Sequence, residues 1–377
     1  MTKPIQLFVP TFRVDECLAQ VRECLEKGWT GLGYKTNEFE QAWKTYTGLP
    51  HAHFLNSATS GLHLAVRLLK ERYGWRDGDE IISTPLTFVS SNHAILYEHL
   101  TPVFADVDDY LCLDPASVAE RITPKTRAVI FVGFGGNCGQ LGAIVALCRE
   151  RGLKLILDAA HMSGTRWHGK HVGLEGDVSV FSFHAVKNLP TADGGMICFG
   201  DAESDAAVRH WTWLGSDKDT FSRTQSDSTY KWYYDVEHVG FKYHGNSIMA
   251  GIGLVSLQYL ETDNAYRRQL AAWYDEGLAA TPGIERVPTA PDCESARHLY
   301  QILVHRRDEV MVGLNAAQIY PGVHYRDNSL YRMYADQPPC PRARRASERV
   351  ISLPLHMQLD RADVDRVCAA LGAISGG

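Results

Sequence analysis

Short apolar runs alternate with helical stretches between residues 80 and 199 of the chain. The runs are rich in β-branched side chains, which is typical of strands that are buried on both faces. Strands that alternate with helices predict an α/β fold with a mostly parallel sheet and helices on both faces. The predicted strands are Glu80–Ser83, Thr101–Val107, Ala128–Val132, Leu153–Asp158, Val178–Phe183 and Met196–Phe199.

The rest of the chain is predicted to add helices and a second, smaller unit. Apolar residues at helical spacing indicate helices before and after the sheet. Beyond about Asn264 the pattern indicates a small α+β unit, so we predict a large domain over residues 1–262 and a C-terminal domain over residues 263–377. The further predicted elements are helices Val14–Tyr46 (broken at Gly28–Gly33), Leu62–Arg72, Ser247–Glu261 and Asp360–Leu371, and strands Leu299–Val304 and Gly322–Tyr325.

Composition excludes several classes of protein. The length of 377 residues suits two domains. The formal net charge is −6 and the sequence has no basic block, so no nucleic-acid partner is expected. No apolar run is long enough for a bilayer, and the N-terminus does not resemble a secretory signal. The nine cysteines contain no CxxC pair, which predicts a reduced cytoplasmic protein without a metal site.

Candidate chemistry gathers at the carboxyl ends of the predicted strands, where α/β sheets bind ligands. Asp158 ends one strand, Ser182 lies near the end of another, and Lys187 follows shortly after. Apolar and small neighbours would desolvate Lys187 and make its amine nucleophilic, as a Schiff-base lysine requires. Asp158 could face the pyridinium nitrogen of pyridoxal 5′-phosphate (PLP). Taken alone, Lys187 is more simply explained as a solvated surface lysine, whereas a turn aspartate and a cofactor ligand explain Asp158 equally well.

Other positions add weaker signals. Ser57–Ser60 opens a predicted helix, where free N–H groups make an anion site, and Ser182 adds a hydroxyl. Phe88 could stack on an aromatic cofactor or belong to the core. His161 could bond a cofactor or substrate, or be structural. Each of these patterns alone is common in proteins without any such site.

Taken in order along the chain, these segments resemble the DegT/DnrJ/EryC1/StrS family of PLP-dependent nucleotide-sugar aminotransferases nearly from end to end. The lysine segment Ser182–Asn188, with Asp193–Gly195 after it, is the most specific part. The other matching segments are Gly28–Gly33 with Phe39–Glu40, Asn56–Ala65, Asp158–His161, Gly240–Tyr243 and Ser352–His356.

The resemblance implies the fold-type I aminotransferase architecture and a homodimer with shared active sites. It implies that Lys187 holds PLP as an internal aldimine and acts as general acid/base, with Asp158 at the pyridinium nitrogen. The same resemblance assigns the phosphate to Ala58, Thr59 and Ser182, the ring face to Phe88, and the PLP hydroxyl to His161, where many members have Gln. These residues are named by their numbers in this chain.

Two departures from the family pattern concern binding. Lys242 stands where many members carry an Asn that reaches the phosphate of the neighbouring subunit, and Lys can also bind phosphate. The segment Trp211–Tyr234 is longer and more aromatic than in many relatives, and the overlapping stretch Asp217–Asp235 is predicted to be a long functional loop. We expect this segment to contribute to the sugar or nucleotide pocket.

The predicted activity is transfer of an amino group from an amino acid, expected to be glutamate, to a nucleotide-linked keto-sugar by a ping-pong mechanism. One alternative is a PLP-dependent sugar dehydratase, although such relatives typically replace the lysine with His, whereas this chain keeps Lys187. A second alternative is a cofactor-binding regulatory protein without turnover. A third is an aminotransferase with a non-sugar carbonyl acceptor.

Overall fold

The structure is a computed structural model that describes residues 3–217, 221 and 234–375. Most of the predicted loop Asp217–Asp235 lies outside these described residues, as does the larger part of the overlapping aromatic segment Trp211–Tyr234. The helices are α1 (Val14–Glu26), α2 (Tyr34–Thr47), α3 (Ala58–Tyr73), α4 (Val89–Tyr97), α5 (Pro115–Arg121), α6 (Leu141–Arg151), α7 (Ala202–Thr212), α8 (Ser247–Gly277), α9 (Arg307–Ala316), α10 (Pro341–Arg349) and α11 (Arg361–Ser375).

Most strands are short, and they form one central sheet and several smaller ones. The strands are β1 (Ile5–Gln6), β2 (His51–Leu55), β3 (Glu80–Ser83), β4 (Thr101–Phe104), β5 (Thr126–Val132), β6 (Lys154–Asp158), β7 (Arg166–Trp167), β8 (Lys170–His171), β9 (Val178–Ser182), β10 (Gly195–Phe199), β11 (Ile284–Arg286), β12 (Cys293–Glu294), β13 (Tyr300–Val304), β14 (Ile319–Tyr320) and β15 (Val350–Leu353).

Among the described residues, the central sheet has the strand order β2-β10-β9-β6-β5-β3-β4. The pairs β3–β4, β3–β5, β5–β6 and β6–β9 are parallel, whereas β10 runs antiparallel to both β2 and β9. All residues of β9 and β10 are buried, as expected for strands that helices cover on both faces. The prediction of an α/β fold with a mostly parallel sheet is therefore confirmed.

Helix α3 begins and ends at residues that favour those positions. Ser57 precedes it, and its hydroxyl accepts a hydrogen bond from the N–H of Ser60 at 3.1 Å, which satisfies one of the free donors of the first turn. Gly74 follows the helix with a φ of 62°, a left-handed conformation that glycine adopts without strain. These boundaries fix the first turn of α3 beside the carboxyl end of the sheet.

The C-terminal part of the chain forms a second core around an antiparallel sheet of β11, β13 and β15. Helix α8 serves both cores: Leu257 and Leu260 belong to the first, and Leu270 and Tyr274 to the second. Strand β1 pairs in parallel with β14, so Ile5 also lies in the second core. The domain division at residue 262 falls within α8 and stays a prediction.

Two sequence predictions need correction. Gly322–Tyr325 is not a strand, because only Gly322 makes an isolated bridge, to Ser352, and the following residues turn toward the end of the central sheet. Helix α8 continues to Gly277, well beyond the predicted end at Glu261, because its later turns are buried in the second core. Within the described residues, no helix is long and apolar enough to cross a membrane.

Candidate active site

A cavity of about 380 Å³ lies at the carboxyl ends of the neighbouring strands β6 and β9. Its lining includes seven of the eight residues that the sequence singled out for the site. These are Ala58, Thr59, Phe88, Asp158, His161, Ser182 and Lys187. The structure thus brings together residues from four separate segments of the chain, as expected for a site at the carboxyl ends of the strands.

Lys187 lies in the connection between β9 and β10, in a turn where its N–H donates to the carbonyl of His184 at 2.8 Å. The residue is half-buried, and its Nζ lies 3.5 Å from Nε2 of His298. Within the described part of the chain, no carboxylate forms an ion pair with this amine. Burial lowers the pKa of Lys187 to about 8, while the more distant charge of Asp158 opposes that shift. The lowered pKa favours a neutral, nucleophilic amine.

Asp158 ends β6 and is only 4% exposed. Its carboxylate accepts hydrogen bonds from the hydroxyl of Ser91 at 2.7 Å and from the N–H of Ala160 at 3.2 Å. Burial raises the pKa of Asp158, and these two hydrogen bonds and the charge of Lys187 counteract the rise. No cationic side chain among the described residues forms an ion pair with this carboxylate, so it can accept a cationic ring nitrogen.

The first turn of α3 forms one wall of the cavity. The N–H groups of Ala58 and Thr59 belong to this turn, where backbone donors have no partner within the helix. Strand β10 approaches closely because residue 195 is glycine: a Cβ there would lie 2.6 Å from the nitrogen of Ala58. Ser182 ends β9 and adds its hydroxyl to the lining. Together these groups suit an anion such as a phosphate.

His161 is held as a neutral ring. Its Nδ1 accepts the N–H of Gly135 at 3.2 Å, which leaves the hydrogen on Nε2, 3.1 Å from the hydroxyl of Tyr325. Burial, and then the charges of Lys187 and His324, hold the pKa of His161 well below its usual range. A neutral imidazole with this tautomer can donate one hydrogen bond toward the cavity or to Tyr325.

Phe88 and Lys242 lie in different surroundings. The ring of Phe88 lines the cavity, is 57% exposed, and has its centroid 5.9 Å from that of Tyr325. It therefore offers a free face to a planar ligand. Lys242 does not line this cavity; its Nζ lies 3.2 Å from the ring centroid of Trp213. Its predicted contact was with the phosphate of a neighbouring subunit, and that contact stays a prediction.

Sequence reasoning did not single out four residues that the structure places in the lining: Ser91, His298, His324 and Tyr325. Ser91 lies on α4, three residues after Phe88. Its closeness in the sequence to that candidate residue was a weak signal that could have identified it. The other three come from the C-terminal part of the chain, at positions where no local pattern indicates that the backbone returns to the sheet.

These residues fit PLP chemically. The buried carboxylate of Asp158, which has no ion-pair partner among the described residues, suits the pyridinium nitrogen, and an amine of lowered pKa suits the aldehyde. The first turn of α3 suits the phosphate, and the exposed face of Phe88 suits the ring. The fold and the cavity thus define the class: an α/β enzyme with the fold-type I aminotransferase architecture.

Comparisons with known proteins identify the family. The model of the DegT/DnrJ/EryC1/StrS aminotransferase family matches residues 13–372. The spore coat polysaccharide biosynthesis protein SpsC of Bacillus subtilis (strain 168) is 34% identical over 375 residues, which cover 96% of this chain and 95% of SpsC. The aminotransferase TlmJ of Streptoalloteichus hindustanus has a similar structure, with a TM-score of 0.91, 33% identity and 98% coverage of each chain.

The sugar aminotransferase CalS13 of Micromonospora echinospora has a TM-score of 0.88 and 30% identity, over 98% of this chain and 99% of its own. The chain belongs to the DegT/DnrJ/EryC1/StrS aminotransferase family. It is a PLP-dependent transaminase of the sugar aminotransferase kind. The predictions of family, fold class, enzyme class and cofactor are confirmed.

Proposed function

We propose that this protein transfers the amino group of glutamate to a keto-sugar linked to a nucleotide, through a ping-pong reaction. The observation that carries the proposal is the placement of Lys187 and Asp158 in one cavity, at the ends of the adjacent strands β9 and β6. The names of the relatives support a sugar acceptor, since one acts in polysaccharide biosynthesis and another is a sugar aminotransferase.

Bound PLP supplies an electron-withdrawing ring that stabilises negative charge at the donor α-carbon. In our proposal, Lys187 removes the proton from that carbon and later returns it, because a pKa of about 8 leaves its amine partly neutral near pH 7. Asp158 holds a proton at the ring nitrogen through its buried carboxylate. Two donors, Ser91 and Ala160, keep that carboxylate in place.

The remaining predicted residues orient the cofactor in this proposal. Ala58 and Thr59 bind the phosphate through their N–H groups, and Ser182 through its hydroxyl. Phe88 covers the ring and excludes water from one face, and His161 binds the ring hydroxyl. Lys242 is assigned to the phosphate of a second subunit, since it lies outside the cavity of its own chain.

A homodimer with shared active sites is part of the proposal. Val14, Leu18 and Leu25 on α1 are 60%, 58% and 61% exposed, so this helix carries apolar surface that a second copy would cover.

We also propose a cytoplasmic location. Its support is that all nine cysteines lie in the described residues and are without disulfides, as in a reducing compartment.

The test is a half-reaction of the PLP-loaded protein with glutamate and no acceptor. We expect about one equivalent of 2-oxoglutarate per site, and none from Lys187→Ala. Turnover is then assayed with a panel of nucleotide-linked 3-keto and 4-keto sugars and with non-sugar ketones. Failure to release any 2-oxo acid would favour the regulatory alternative, whereas release followed by amination of only non-sugar ketones would refute the sugar acceptor.

A further inference from the structure

A row of buried polar side chains connects the backbone at Ser163 with the amine of Lys187. Asn264 donates from Nδ2 to the carbonyl of Ser163 at 2.9 Å, and its Oδ1 accepts from Nδ2 of Asn188 at 2.7 Å. Asn188 has its Oδ1 3.1 Å from Nδ1 of His298, and Nε2 of His298 lies 3.5 Å from Nζ of Lys187. All the side chains between the two ends are buried.

The direction of each hydrogen bond follows from the backbone end of the row. A carbonyl only accepts, so Asn264 turns its Nδ2 toward Ser163 and its Oδ1 toward Asn188. Asn188 must then donate from Nδ2, and it also donates to the carbonyl of Ala296 at 2.7 Å. Its Oδ1 therefore faces His298 as an acceptor, so Nδ1 of His298 carries the hydrogen. Nε2 is left with a lone pair toward Lys187.

We propose, on the basis of the proposed function, that His298 is a positioning residue for Lys187: its Nε2 accepts an N–H of the free amine and aims that amine into the cavity. The distance of 3.5 Å is long for a hydrogen bond, and such bonds commonly tighten when ligand is bound. The ring of His298 is itself held, since it stacks on Phe8 with centroids 5.5 Å apart and packs on His161 at 4.4 Å.

His298 acts as an acceptor and not as a proton donor, because its surroundings keep the ring neutral. Burial is the main cause that holds its pKa well below the usual range. The titratable and charged groups that face it are Lys187, His161, Arg267 and His324, and positive charge on any of them lowers its pKa further. A hydrogen bond that the Lys187 amine donates to this neutral ring favours the protonated amine, and it therefore limits how far burial lowers the pKa of that amine.

The first test measures Lys187 without turnover. The full-length, PLP-free chain is labelled with a trace of an acylating reagent across a range of pH, and the acylated Lys187 peptide is quantified by mass spectrometry. We expect the midpoint of the labelling curve to fall by about one pH unit, a tenfold change in the protonation equilibrium, in His298→Phe. His298→Gln offers an amide oxygen to Lys187 and should keep the midpoint near that of the unaltered chain. Equal midpoints for all three proteins would overturn the proposal.

The second test uses the glutamate half-reaction of the PLP-loaded protein. His298→Phe should lower the maximal rate constant of this half-reaction on the order of 10²-fold, with little change in the glutamate concentration that gives half of it, since the amine is misaimed while the donor still binds. His298→Gln should recover part of the rate. Equal losses in the Phe and Gln variants would indicate a role in packing alone. Labelling is independent of turnover, so a chain that responds in labelling but never transaminates refutes only the proposed function.

A third measurement observes His298 in the unaltered protein by NMR, and a variant is needed only to assign its signal. In the full chain labelled with ¹⁵N-histidine, the signal that disappears in His298→Gln belongs to His298. We expect its nitrogen shifts to report a neutral ring with the hydrogen on Nδ1. A neutral ring with the hydrogen on Nε2, or a ring that is charged at neutral pH, would contradict the proposal even if His298→Phe does not fold.

Discussion

The buried amine of Lys187 should make the PLP-free protein less stable at neutral pH than it would be with an apolar side chain. The pKa of Lys187 is about 8 in the folded chain and near the ordinary 10.5 when unfolded. The unfolded chain therefore binds more protons between these two pH values, and stability rises with pH across that window. Below about pH 8 the whole penalty of the buried charge is present.

The size of the effect follows from the same two values. One pKa unit corresponds to about 1.4 kcal/mol, so the difference between about 8 and 10.5 corresponds to a destabilisation of roughly 3 kcal/mol for a fully buried amine. The cavity opens to water, which screens part of this penalty, so we expect Lys187→Met to raise the free energy of unfolding by about 1–3 kcal/mol at pH 7. Met keeps the apolar stem of the side chain and removes the charge. The gain should fade as the pH approaches about 10.5.

The assay is urea unfolding of the PLP-free chain, followed by circular dichroism at about pH 7 and again near pH 10. Lys170→Met is the matched control, since Lys170 is exposed on β8 and its replacement should leave stability nearly unchanged. The reasoning would be refuted by a Lys187→Met protein that is no more stable than the unaltered chain at pH 7. A gain of the same size at both pH values would refute it equally.

Three further substitutions test other parts of the site. Asp158→Asn keeps the size of the side chain but removes the carboxylate, so the glutamate half-reaction should slow by at least about 10²-fold; a rate near that of the unaltered protein would contradict this. Gly195→Ala places a Cβ 2.6 Å from the nitrogen of Ala58 and should lower both the melting temperature and the PLP affinity. Gly200→Ala, where a Cβ would meet no atom of the described residues within 4 Å, should do neither. Ser91→Ala removes the 2.7 Å hydrogen bond to Asp158 and should raise the pKa of that carboxyl further, with a loss of about 1–3 kcal/mol at pH 7 that shrinks as acid protonates it; urea unfolding that shows no loss at pH 7 would contradict this.

The sequence predicted the central sheet and the residues that follow its strands. Asp158 and Ser182 could be placed because each ends a short apolar run, and parallel strands bring their carboxyl ends to one edge. Lys187 follows closely in the chain, so its position was constrained by the same strands. Local patterns were sufficient here because an apolar run and the polar residue that ends it are both visible within a few consecutive residues.

The contributions of the C-terminal part could not be predicted in the same way. His298 and Tyr325 reach the cavity from segments more than a hundred residues after Lys187, and their approach depends on how the second core packs. The predicted strand at Gly322–Tyr325 was wrong because an apolar residue between polar ones also occurs where a chain turns toward a pocket. Tertiary packing decides which loop lies over the edge of the sheet, and the local spacing of apolar and polar residues does not indicate it.

The length of α8 has a consequence for how the molecule denatures. A single uninterrupted helix supplies Leu260 to one core and Tyr274 to the other. If one core unfolded alone, the apolar side chains that this helix contributes to it would be exposed while the rest of the helix stayed packed in the other core. We therefore expect one calorimetric melting peak for the whole chain. A fragment cut within this helix would leave a bare apolar stripe and tend to aggregate.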